Sequence, residues 1–101
     1  MYDMKNVQKL QTLETNAPEA WEAFAAFDKA ALAEGEIPRK YKELIAVAVA
    51  LTTQCPYCLE IHREAALKAG ATAEQLSEVT FVAAALRAGA AITHGTHLFK
   101  E

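Results

Sequence analysis

Apolar residues recur at spacings of three and four along the chain, with little of the single alternation that marks strands. Val7, Leu10 and Leu13 form a thin stripe between Asp3 and Glu14, with Lys5, Lys9 and Glu14 outside it. That stripe predicts a short helix that needs a neighbour to pack on. Thr15-Asn16-Ala17-Pro18 interrupts the pattern and opens the next helix, with Asn16 or Thr15 as the cap and Pro18 and Glu19 in the first turn. Trp21, Phe24, Phe27 and Leu32 make the second stripe, and Gly35 suits its end. Pro38 starts a third helix, from about Arg39 to Thr53, whose stretch Leu44 to Leu51 is aliphatic on every side. The fourth runs from Pro56 to about Ala69, with Leu59, Ile61, Ala65, Ala66 and Ala69 at helical spacing, and Gly70 stops it. Thr72 and Gln75 spell a capping box for the fifth, which continues from Ala73 to at least Arg87. Thr93 to His97 ends or frays it. The pattern is an all-α bundle of about five helices.

Composition agrees with that class. The 101 residues suit one domain, spanning 1–101 without linker or repeat, and 52% are hydrophobic, much of that alanine. A formal charge of −3 with no basic run argues against a nucleic-acid partner. Met1 to Lys5 lacks the apolar core of a signal peptide, and the apolar runs look too short to span a bilayer. The expectation is a cytoplasmic protein with no membrane partner. In that compartment a lone pair of cysteines points to redox or metal chemistry rather than a structural staple.

That pair is Cys55-Pro56-Tyr57-Cys58, followed by His62. It falls at the junction of the third and fourth helices, so Cys55 lies near an N-cap and Cys58 in a first turn. Unpaired N–H groups and the helix dipole stabilise a thiolate there. His62 shares a helix face with Cys58. Glu43, the last charge before the pair, shares its face with Val47, Ala50 and Gln54. A carboxylate there is paired, solvated or working. Straight antiparallel helices would leave Glu43 and His62 offset by roughly 8 Å, so a water, a helix tilt or a second subunit would have to join them.

Other readings of the motif stand beside this one. A zinc site could recruit His62 with His94 or His97, although such sites usually need a second ligand pair. Two buried inert thiols are a further possibility. A thioredoxin-like domain is excluded, because helix rather than strand precedes Cys55. His94 and His97 fit a solvated end or a subunit contact better than catalysis.

Glu43, Cys55-Pro56-Tyr57-Cys58 and His62 together resemble the Glu…Cys-x-x-Cys-x-x-x-His core of the alkylhydroperoxidase AhpD-like and carboxymuconolactone decarboxylase-like family, in its redox-active branch. The similarity covers about residues 37–95. It implies an all-α fold and a thiol-dependent antioxidant activity that cycles a Cys55–Cys58 disulfide, with no cofactor or metal. Cys58 would be the thiolate that attacks peroxide, Cys55 the residue that resolves it and meets a dithiol reductant or partner redox protein, and His62 and Glu43 the proton relay. In well-known trimeric members the residue before the second cysteine is a histidine, whereas here it is Tyr57. The alternatives are a lactone-processing decarboxylase, which generally lacks the cysteine pair, and a non-catalytic redox-sensing oligomer.

The two most apolar helices also bear on assembly. Leu44 to Leu51 and Val79 to Ile92 have no polar face, and one small domain can hardly wrap both while Trp21, Phe24 and Phe27 also need cover. A homo-oligomer follows, and the resemblance favours a hexamer.

Overall fold

The computed structural model describes residues 2–100. A 3-10 helix, Met4–Lys9, leads into α1 (Leu10–Asn16), followed by α2 (Pro18–Leu32), α3 (Arg39–Thr53), α4 (Pro56–Lys68) and α5 (Ala73–His94). A 3-10 turn, Gly95–Leu98, follows α5, and no strand occurs among the described residues. The fold is all-α, as the hydrophobic spacing implies.

Local chemistry accounts for most of the boundaries. Pro18 and Pro56 occupy first-turn positions, where a missing N–H costs nothing. The capping box of α5 is complete: Thr72 Oγ1 accepts the N–H of Gln75 at 3.1 Å, and Gln75 Oε1 accepts the N–H of Thr72 at 3.1 Å. Gly70 ends α4 with φ of 101°, a conformation that a side chain would strain. Two expectations fail before α2. The first part of the opening helix is 3-10, and α1 runs on through Thr15 and Asn16. Only Ala17 then remains as the N-cap of α2, and it supplies no side-chain cap.

α3 is the central element, packed against α4 on one side and α5 on another. Its inner face buries Glu43, Leu44, Val47 and Ala50. Leu44 meets Ala66 of α4 and Ala71 of the following turn, with Leu76 and Val79 of α5 closing over them. This core is small and mostly alanine. The chain exposes 7978 Å², whereas a compact monomer of 11.0 kDa exposes about 5,600 Å². Its radius of gyration is 16.9 Å, against about 13 Å for a compact domain of this length.

α5 carries much of the excess. It buries Ala83 alone, while Phe81 is 74% and Ile92 75% exposed. The stretch Ala73–Leu98, 26 residues, is by length and composition long and apolar enough to cross a membrane, contrary to the expectation from unbroken runs. Thr80 and Arg87 interrupt the run without lowering its mean hydropathy enough to exclude it. On α2, Phe24 and Phe27 are likewise exposed rather than core.

Candidate active site

The site begins with a backbone constraint. Proline disfavours helical geometry in the residue before it, and Cys55 is extended, at φ −101° and ψ 100°. Gln54 turns the chain through a left-handed conformation at φ 59°, and the N–H of Cys55 bonds back to the carbonyl of Ala50 at 3.1 Å. α3 therefore ends and α4 begins within two residues. Cys55 becomes the N-cap of α4, and its Sγ accepts the N–H of Cys58 at 3.2 Å. A sulfur fills the position usually held by a serine, threonine or aspartate oxygen.

Both cysteines are reduced thiols. Their proton affinities are split. A hydrogen bond from the Cys58 side chain, followed by the N–H of Cys58, pulls Cys55 below the usual thiol range. The same contact with Cys55, then burial, pushes Cys58 up to about 11. The shared contact thus favours the proton on Cys58 over Cys55. Of the two positions that share the helix start, the N-cap sulfur is the one that benefits. At neutral pH, sub-stoichiometric iodoacetamide should label Cys55 first. Its rate should fall only below the usual thiol range, while Cys58 in the intact dithiol stays slow until pH nears 11. Site-resolved mass spectrometry against pH measures this, and first labelling at Cys58 would reverse the assignment.

Glu43 and His62 meet directly. The Glu43 side chain is 1% exposed, its Oε1 lies 2.7 Å from His62 Nδ1, and its Oε2 lies 3.3 Å from Arg39 Nε. The 8 Å offset does not arise: α3 and α4 pack so that the two side chains lie within hydrogen-bonding distance. No water or second subunit is needed. Two partners satisfy a carboxylate that would be costly to bury alone. With Nδ1–H donating to Glu43, Nε2 of His62 is the nitrogen left to accept a proton.

Cys58 and His62 open onto one cavity of about 280 Å³, walled by Asp28 and Leu32 of α2 and by Val49 and Ala50 of α3. A larger cavity of about 540 Å³, lined by Leu51, Leu59, Arg63 and Thr80 among others, contains neither cysteine. Tyr57 faces the N-terminal segment: Asn6 Nδ2 donates to its hydroxyl at 3.0 Å, and the Tyr2 ring stands edge-on at 5.0 Å. His94 and His97 pair with each other, ring centroids 5.1 Å apart. Among the described residues no group of three or more His, Cys, Asp or Glu side chains is arranged to hold a metal.

Two residues of this neighbourhood are not in the sequence-derived set. Arg39 could have been found, since it stands four residues before Glu43 on the same helix. Asp28 carries no such signal, because only packing of α2 beside α3 brings it to the cavity.

An uncharacterized protein of the cox locus of Paracoccus denitrificans is 51% identical over 73 residues, 72% of this chain and 66% of that one. An uncharacterized protein of Cupriavidus necator is 47% identical over 62 residues, 61% of this chain and 55% of that one. The matched region thus spans less than two thirds of either relative. Among solved structures, a carboxymuconolactone decarboxylase family protein of Legionella pneumophila, in its apo form, superposes with a TM-score of 0.76 at 33% identity, covering 81% of this chain and 73% of that one. A protein of Methanobacterium thermoautotrophicum does so with a TM-score of 0.81 at 36% identity, covering 87% and 99%. The sequence model of the carboxymuconolactone decarboxylase family matches residues 18–101, a span that contains α2 to α5, both cysteines, Glu43 and His62, and the chain belongs to that family.

Proposed function

We propose that the protein is a thiol oxidoreductase that reduces peroxide by cycling a Cys55–Cys58 disulfide. The observation that carries this reading is the split dithiol at the start of α4, beside a histidine whose Nδ1 is held by a buried carboxylate.

In this reading His62 Nε2 takes the proton of Cys58 as the thiolate attacks the terminal peroxide oxygen. The O–O bond breaks, Cys58 becomes a sulfenic acid, and the alkoxide leaves with the proton from His62. The Glu43 carboxylate stabilises the imidazolium in between. The Cys55 thiolate then attacks the Cys58 sulfur. The S–S bond forms, hydroxide leaves, and it is protonated from solvent through His62. A dithiol reductant, small or carried by a partner redox protein, attacks Cys55 and restores both thiols. Disulfide exchange without peroxide uses the second half of this cycle.

The family's description favours a second reading, lactone decarboxylation, in which His62 and Glu43 would serve as acid and base and the cysteines would be dispensable. Consumption of alkyl hydroperoxide under a recycling dithiol separates the two. The redox reading expects turnover that stops when both thiols are blocked. Lactone turnover that survives blocking, with no peroxide loss, would favour the alternative.

The assembly we infer is a homo-oligomer, a hexamer by family resemblance, in the cytoplasm. The excess exposed area of about 2,400 Å² per chain is on the scale of an obligate interface. Association accounts for α5 better than a bilayer does. Arg87, in the middle of the helix, donates to the carbonyl of Thr52, and Ala83 packs inward. Both features belong to a helix held against α3.

A further inference from the structure

The cavity shared by Cys58 and His62 has a wall that the chemistry above does not use. Asp28 stands on α2, and none of the cavity's lining residues is a lysine or arginine. Among the described residues Asp28 makes neither an ion pair nor a side-chain hydrogen bond. Its carboxylate therefore lines the thiol cavity without a direct partner, while Lys42 Nζ donates to the carbonyl of Ala31, another lining residue, at 2.9 Å. It also works against the thiol: after the contact with Cys55 and burial, Asp28 is among the groups that raise the proton affinity of Cys58. A site shaped for thiolate reactivity alone gains nothing from that carboxylate.

We propose that this cavity receives the oxidant and that Asp28 makes it selective for uncharged hydroperoxides over anionic ones. The proposal rests on the peroxide-reducing reading and names the substrate class of that site. Polarity follows from the wall. Leu32, Ala46, Val49 and Ala50 offer contact to an alkyl group and no partner for a carboxylate. Charge follows from Asp28, since an anion entering there meets a like charge and no lysine or arginine among the lining side chains. The carboxylate is exposed, so salt should weaken the discrimination.

The test uses two probes of similar size, neutral iodoacetamide and anionic iodoacetate, on the full chain carrying Cys55→Ser, where Cys58 is the only thiol. The ratio of their rates is normalised to that of free cysteine. With Asp28 present, the normalised preference for the neutral reagent should be about tenfold or more at low salt and should shrink as salt is added. In the Cys55→Ser, Asp28→Asn chain it should fall below about threefold. A ratio near one with Asp28 present, or a ratio that Asp28→Asn leaves unchanged, overturns the charge filter. A second arm gives the wild-type chain a neutral alkyl hydroperoxide and a carboxylate-bearing one of similar size, under a recycling dithiol. Faster consumption of the neutral peroxide, with the gap closing in Asp28→Asn, supports the substrate class. Equal consumption of both overturns it. Consumption of neither sinks the peroxidase reading and the hydroperoxide assignment with it, while the alkylation ratio still decides whether Asp28 filters by charge.

Discussion

Cys58→Ser should lower peroxide turnover by at least about a thousandfold, the scale expected when an essential nucleophile is removed. Cys55→Ser should also stop turnover, at a later step, after a single equivalent of peroxide has been consumed. The difference lies in what remains on the protein. Without Cys55 no neighbouring thiolate can displace hydroxide from the Cys58 sulfenic acid, so that species should persist and react with a dimedone-type reagent. Without Cys58 the remaining Cys55 sulfur keeps its place at the start of α4 but loses the thiol contact that lowers its proton affinity, and it lies outside the set of residues that line the cavity with His62. Labelling of Cys55 in the Cys58→Ser chain, with none at Cys58 in the Cys55→Ser chain, would exchange the two roles. The lower proton affinity of Cys55 and the first attack by Cys58 are compatible. Proton affinity determines where the proton rests, whereas attack depends on which sulfur the oxidant can reach and on a base near it.

The second large effect concerns assembly. Leu86 is 67% exposed on α5, with Phe81 and Val82 also open nearby. Leu86→Glu should break the oligomer, because an unpaired charge buried in an apolar contact costs about 3 kcal/mol or more for each copy. Light scattering coupled to size exclusion, at micromolar chain concentration, should give six times the 11.0 kDa chain mass for the wild type and a smaller species for the variant. Thermal stability should fall with it, since the isolated chain has little core of its own. A wild-type mass near 11.0 kDa would end the association argument. A stable dimer or trimer would end only the hexamer.

Fold class and helix boundaries were legible because their signals are local. Prolines at helix starts, Gly70, and the Thr72–Gln75 pair each act within a few residues, and helical spacing exposes the rest. The α1–α2 break was misread for the same reason. Thr15 and Asn16 are good caps in isolation, but α1 continues through them and leaves Ala17 in the capping position. The cysteine motif was readable as a helix start, and the extended backbone that proline demands of Cys55 follows from the sequence. The split in proton affinity between the two sulfurs was not readable, since it depends on which sulfur faces the Cys58 N–H. Glu43 was identified as a lone carboxylate on an apolar face, while its direct contact with His62 depends on how α3 and α4 lie together. Asp28 belongs to the same class, thirty residues from Cys58 along the chain and brought near by packing alone. The apolar character of α5 was visible in its residues. So was its end: the helix stops at His94, within the Thr93 to His97 stretch expected to end or fray it.

The central claim is that Cys55 and Cys58 form a working redox couple. Titrating the reduced protein with one equivalent of alkyl hydroperoxide and counting free thiols tests it most directly. The expected result is loss of both thiols in every chain, a mass lower by two hydrogens, a peptide linked between Cys55 and Cys58, and full recovery on adding a dithiol. Two thiols still titratable after excess peroxide, or oxidation that a dithiol cannot reverse, would contradict it.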